Sequence, residues 1–240
     1  EAIEKYRKAI EIDPSKFTLW NQVVLLEAQS NQFDLLVKDS EKAIELFPSQ
    51  PSFYLFNGLA NVQKEDYAQA IESLNAGRAL VIDDKLVESQ FYQYLGEAYH
   101  KVEDHENSDK FYDKYLLIDP NNATVLNNYS YYLSLRKVNL TRAISMISKA
   151  DKMYPNNATF LDTYGWVLYQ QEKYEEAKIK LKSALDNGGK NSGESLEHYG
   201  DVLFQLDMKN EALDYWNKAL GKDGHSDSLQ QKIDAKELLD

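Results

Sequence analysis

The run Leu161-Asp162-Thr163-Tyr164-Gly165-Trp166-Val167-Leu168-Tyr169 is followed, across the polar turn Glu172-Lys173, by Tyr174-Glu175-Glu176-Ala177 and then by Ala184. The pattern comes round again as Leu196, Tyr199 and Gly200 with Ala212 and Ala219, and an earlier version of its first half reads Tyr92, Leu95, Gly96 and Tyr99. The alanines of each pair stand seven residues apart, as do Ala2 with Ala9 and Ala143 with Ala150. Seven residues is two helical turns, so each pair forms a flat strip of small side chains along which a neighbouring helix approaches closely. The chain therefore reads as repeated pairs of helices, the first aromatic with a glycine, the second small-sided.

The prolines mark where each pair stops. Four of the five sit in one setting, Ile12-Asp13-Pro14, Leu46-Phe47-Pro48, Ile118-Asp119-Pro120 and Met153-Tyr154-Pro155, at gaps of 34, 72 and 35 residues. Proline cannot continue a helix, and a gap of 72 is two such units plus four residues, so one unit has lost its proline near Ile82. Polar turns fall between the two helices of each unit, at Asn31-Gln32, Lys64 to Asp66, Glu103-Asp104, Lys137 to Asn139, Glu172-Lys173 and Asp207 to Lys209. Asn122 and Asn157 stand where they cap the helices that follow.

These residues resemble the tetratricopeptide repeat, a helix-turn-helix of about 34 residues. The resemblance implies an all-α fold: a right-handed superhelix, or α-solenoid, of thirteen or fourteen antiparallel helices with a C-terminal capping helix. It divides the chain into a half repeat at 1–16, repeats at about 17–50, 51–88, 89–122, 123–157, 158–192 and 193–225, and a capping helix at about 226–239. Departures cluster between 77 and 123, where Gly77, Ser108 and Tyr115 replace the expected alanines and four residues are added. An irregular junction is expected there.

Composition excludes some functions. The 43% hydrophobic and 12% aromatic content suffices for a core, and the net charge of −12 opposes binding to nucleic acid or anionic membranes. With no cysteine there is no disulfide, thiolate metal site or cysteine nucleophile. No apolar run reaches the roughly 18 to 20 residues needed to cross a bilayer, so no direct membrane insertion by this segment is expected. His100 and His105 flank a turn without the helical spacing of metal ligands, and the glycines at 188 and 189 suit a left-handed helix end rather than a phosphate loop. No cofactor, metal or catalytic constellation is expected.

What the resemblance implies about function is protein binding. Its groove-facing positions select Tyr94, Glu97, Asn127, Asn128, Tyr131, Asp162, Trp166, Tyr169, Glu194, Glu197 and Asp201 as candidate protein-binding residues, with His198 beside them. Lys and Arg are missing from that row, which disfavours acidic ligands and favours a protein or peptide partner with apolar residues and a basic end. The expected role is a non-catalytic interaction scaffold. The alternatives are an oligomerisation module using the N-terminal edge, or an accessory to a larger enzyme or sensor. The two C-terminal units resemble those of bacterial cell-envelope proteins, which points toward a periplasmic or outer-membrane lipoprotein setting, with the cytoplasm as the alternative. Glu1 to Ile12 reads as the middle of a helical pattern, as in a piece of a longer protein.

Overall fold

The computed structural model describes residues 2–238. Among them are fourteen α-helices, one short 3-10 turn and no strand. The chain forms two compact units, Glu1–Pro120 and Asn121–Asp240. The first holds α1 (Ala2–Ile12), α2 (Phe17–Gln29), α3 (Phe33–Leu46), α4 (Pro51–Gln63), α5 (Tyr67–Ala79), α6 (Lys85–Lys101) and α7 (His105–Ile118). The second holds α8 (Ala123–Leu135), α9 (Leu140–Met153), α10 (Ala158–Gln170), α11 (Tyr174–Asp186), the 3-10 turn (Gly189–Asn191), α12 (Gly193–Gln205), α13 (Lys209–Leu220) and α14 (Leu229–Ala235).

Helix ends obey local chemistry. α1, α3, α7 and α9 each stop two residues before a proline. Asn122 and Asn157 accept hydrogen bonds from the Val125 and Phe160 backbone N–H groups, capping α8 and α10 as expected. The turn inside every unit is closed by a residue with positive φ, namely Asn31, Glu65, Glu103, Lys137, Glu172 and Asp207. The next N–H then reaches back five residues, as Asp66 does to the Asn61 carbonyl and Lys173 to that of Leu168. This is the Schellman closure, made here without glycine.

Within a unit, the two helices meet at a recurring contact. A Cβ on Gly165 would lie 2.5 Å from Leu181 Cγ, and one on Gly200 would lie 2.4 Å from Trp216 Cδ1. The bulky residue stands sixteen positions after its glycine in both cases, and Gly58 with Leu74 and Gly96 with Tyr112 follow the same rule. α2 carries buried Val24 at the glycine position, and the residue sixteen positions later is the buried Ser40. In the second unit the paired alanines Ala143, Ala150, Ala177, Ala184, Ala212 and Ala219 are fully buried.

Two of the departures from the repeat pattern are accommodated locally. The added residues after Ala79 are not a loop throughout, because Asp84 caps α6 through the Leu86 and Val87 N–H groups and starts that helix one turn before Ser89. Ser108 is as tightly enclosed as the alanines it replaces, at 1% exposure, and its hydroxyl donates to the Gly96 carbonyl at 2.8 Å. The capping helix is the seven-residue α14, shorter than expected, and position 239 of its expected span lies outside the described residues.

Successive first helices touch one another, α2 with α4 and α4 with α6 in the first unit, α8 with α10 and α10 with α12 in the second. The second helices have no comparably close pairing among the described residues. In each unit the first helices thus form the tighter, inner row, and their side chains face a common surface.

Ala177→Leu, Ala212→Leu and Ser108→Leu should each destabilise the protein by about 1 to 3 kcal/mol through overpacking, with Ser108→Leu also losing a buried hydrogen bond. Urea melts in which Ser108→Leu is harmless would contradict this packing. Glu65→Gly should raise stability by up to about 1 kcal/mol, because glycine removes the left-handed strain at φ 62 while adding some unfolded-state entropy. A lowered melting temperature would refute that balance.

Candidate functional site

The inner row of the second unit encloses a cleft of about 560 Å³, lined among others by Tyr131 of α8, Trp166 and Tyr169 of α10, Glu194 and Gln205 of α12, and Lys232 of α14. The candidates drawn from the sequence divide between the two units. Tyr94 and Glu97 lie on α6 of the first unit, where both are largely enclosed; burial raises the pKa of each, and Glu97 adds to the effect on Tyr94. The other nine belong to the second unit.

Trp166 organises the cleft. Its ring is stacked on Tyr169 with centroids 4.6 Å apart and on His198 at 3.9 Å. His198 is fixed in turn by Asp162, whose Oδ2 lies 3.0 Å from Nδ1. Burial alone would lower the His198 pKa, but the charge and hydrogen bond of Asp162, with Glu194 and Asp201 behind them, outweigh it and the net shift is upward. His198 thus lines the cleft as a buried, packed side chain held by Trp166 and Asp162. Tyr131 donates to Glu194 Oε1, and burial, reinforced by the Glu194 charge, holds its hydroxyl well above its ordinary pKa. Asn127 is buried, its amide donating to Asn128.

Glu197 and Asp201, selected as groove-facing candidates, are not free to meet a partner: they are 4% and 3% exposed. Lys232 Nζ lies 2.7 Å from Glu197 Oε1 and 2.8 Å from Asp201 Oδ2. Ser226 donates its backbone N–H to Glu197, and Trp216 Nε1 donates to Asp201. Hydrogen bonding to Lys232 and Ser226 overcomes the upward push of burial at Glu197, whose pKa falls; at Asp201 burial prevails and the pKa rises despite Lys232. Groove position alone did not reveal this, because the lysine that covers them comes from 31 and 35 residues further along. Lys232 and Ser226 carried no signal in the sequence pattern.

Residues 89–122 match the tetratricopeptide-repeat family model. One subunit of the Cut9–Hcn1 hetero-tetramer of APC/C superposes with a TM-score of 0.78 over 96% of this chain and 45% of that one, at 13% identity. The fold is a tetratricopeptide-repeat α-solenoid. YrrB, described as a tetratricopeptide-repeat protein with an unusual peptide-binding site, superposes with a TM-score of 0.62, covering 87% of this chain and 99% of YrrB at 19% identity. In sequence, the chain is 23% identical over 154 residues to the auxiliary subunit NAA15 of the N-terminal acetyltransferase A complex of Arabidopsis thaliana. That match takes in 64% of this chain but spans only 17% of the relative. The repeat matched by the family model is the one in which Ser108 and Tyr115 replace alanine, so the departures leave the repeat recognisable.

The raised pKa of His198 gives a pH dependence with a definite sign. A group whose pKa is higher folded than unfolded contributes stability that is full below the unfolded value, near 6.5, and is lost as pH rises through the folded value. The stability difference between the native chain and His198→Gln should therefore favour the native chain most in mild acid and shrink toward alkaline pH. Melting curves of both proteins from acid to alkaline pH, with the imidazole titration followed by NMR, check it. A difference that grows with pH would refute the Asp162–His198 assignment.

Proposed function

We propose that the second unit is a non-catalytic protein-recognition module whose cleft holds a segment of a partner protein carrying apolar residues and a basic end. The observation that carries this reading is the lining of the cleft, which places aromatic faces with polar tips beside carboxylates. Tyr131, Trp166 and Tyr169 supply large contact area at small entropic cost, and Glu194 supplies a charge complementary to a basic side chain. Asp162, Asn127 and Asn128 support that surface, and Glu197 and Asp201 form its acidic end. Tyr94 and Glu97 are proposed as a further contact area on the first unit.

The comparisons support a binding role through what their subjects are. YrrB is described as having a peptide-binding site, NAA15 as an auxiliary subunit and Cut9–Hcn1 as an assembly, so each is a protein that engages other chains. The bacterial envelope setting rests on the resemblance of the two C-terminal units alone, and fractionation of cells making the native protein tests it.

A photo-crosslinking residue placed at Tyr169 should capture the partner from native extract, whereas the same residue at Ile179, on the outer helix α11 and 67% exposed, should not. Tyr169→Ala should weaken binding of the captured partner by about 1 to 3 kcal/mol, mainly through faster dissociation. Capture from Ile179 but not from Tyr169 would move the site to the outer helices.

A further inference from the structure

The acidic end of the cleft is already filled by a side chain of the same molecule. Glu197 and Asp201, one turn apart on α12, have side chains only 5% exposed and share the Lys232 ammonium, which also reaches Asp201 Oδ1 at 3.1 Å. The helix that brings this lysine is weakly built. α14 has seven residues, no side-chain cap at Ser228 and a left-handed Lys236 at its end. It follows an exposed stretch in which Gly224 has φ 84. A helix so short is marginal by itself in water, so tertiary contacts hold it in place: fully buried Leu229, partly buried Ile233 and Leu238, and the lysine.

A second observation concerns the groove floor. The Asp162 side chain is 8% exposed, and among the described residues its Oδ1 meets no hydrogen-bond donor. Buried carboxylate oxygens are ordinarily satisfied, and this one borders a smaller hollow of about 290 Å³ that shares Glu194 with the main cleft.

We infer that α14 is an internal occupant of the groove, and that a lysine-bearing helix of a partner protein takes its place. Lys232 shows the chemistry the site accepts: a primary ammonium between two carboxylates, with an apolar residue three positions before it and another directly after, as in Leu229, Lys232 and Ile233. When α14 swings out, the carboxylates of Glu197 and Asp201 face the cleft unpaired, and an incoming lysine restores the same charge-assisted bonds. The chain's own helix and the partner then compete, so apparent affinity is reduced by the fraction of molecules in which α14 is docked. The inference rests on the cleft being a protein-binding surface.

The probe is a fluorescent synthetic peptide of residues 226–238, titrated into the full chain and into its Lys232→Gln variant. The peptide should bind the variant about tenfold or more tightly than the native chain, because the internal competitor is weakened. A peptide with glutamine in place of its lysine should lose that gain. In the native chain, saturating peptide should speed hydrogen exchange of the backbone amides at 229–235 while leaving those at 196–203 protected. This measurement needs no variant and stands even if Lys232→Gln unfolds. Equal binding to both proteins, or no binding together with unchanged exchange at 229–235, would make α14 a fixed cap and overturn the inference. In that event crosslinking of the partner at Tyr169 would still uphold the groove reading, and its absence would remove both.

Discussion

The contact between a glycine on four of the first helices and a bulky side chain sixteen residues later is the constraint on which the rest of the structure depends. It lets two helix backbones approach at Gly58, Gly96, Gly165 and Gly200, with Leu74, Tyr112, Leu181 and Trp216 lying over the missing Cβ. Packing at interior density rewards this fit and penalises any added methyl group. Because it locates the paired helix on one side of the first helix, the opposite side is left to neighbouring first helices and to the cleft. Trp216 joins the two roles directly: its ring lies over Gly200 while its Nε1 donates to Asp201 at the acidic end of the site.

The sequence was most informative where one residue type has one physical job. Prolines stop helices, alanines seven apart make flat strips and asparagine caps helix starts, so the helix pairs and their turns could be read directly. The start of α6 escaped that reading because its cap, Asp84, lies in the added segment, where no proline or asparagine marks the boundary. Within the site, the aromatic row on α8 and α10 was legible as groove-facing. The pairing of Glu197 and Asp201 with Lys232 was not, since periodicity tells which face a residue occupies but not what a distant segment brings to that face. A face that reads as an exposed acidic row can be covered by a single long side chain.

Net charge and local charge have different consequences here. The chain carries −12 overall, yet the two most enclosed carboxylates of the groove are held by a lysine, and a third holds a histidine whose pKa is raised. Enclosing charges costs solvation, and the cost is offset only when geometry provides several bonds per charge. Glu197 meets that condition through Lys232 and Ser226, and Asp201 through Lys232 and Trp216. Asp162 meets it on one oxygen only. The groove thus keeps unspent acceptor capacity next to a pair whose donor belongs to its least supported helix.

Rigidity and lability are therefore divided between the floor and the wall of the cleft. The floor is a stack of Tyr169, Trp166 and His198 pinned by Asp162, with few rotamers left to lose on binding. Such preorganisation lowers the entropic cost of holding a partner segment. The wall formed by α14 rests on fully buried Leu229, partly buried Ile233 and the buried Lys232. The cleft is thus firm along its aromatic stack and least supported where the short helix α14 covers its two enclosed carboxylates.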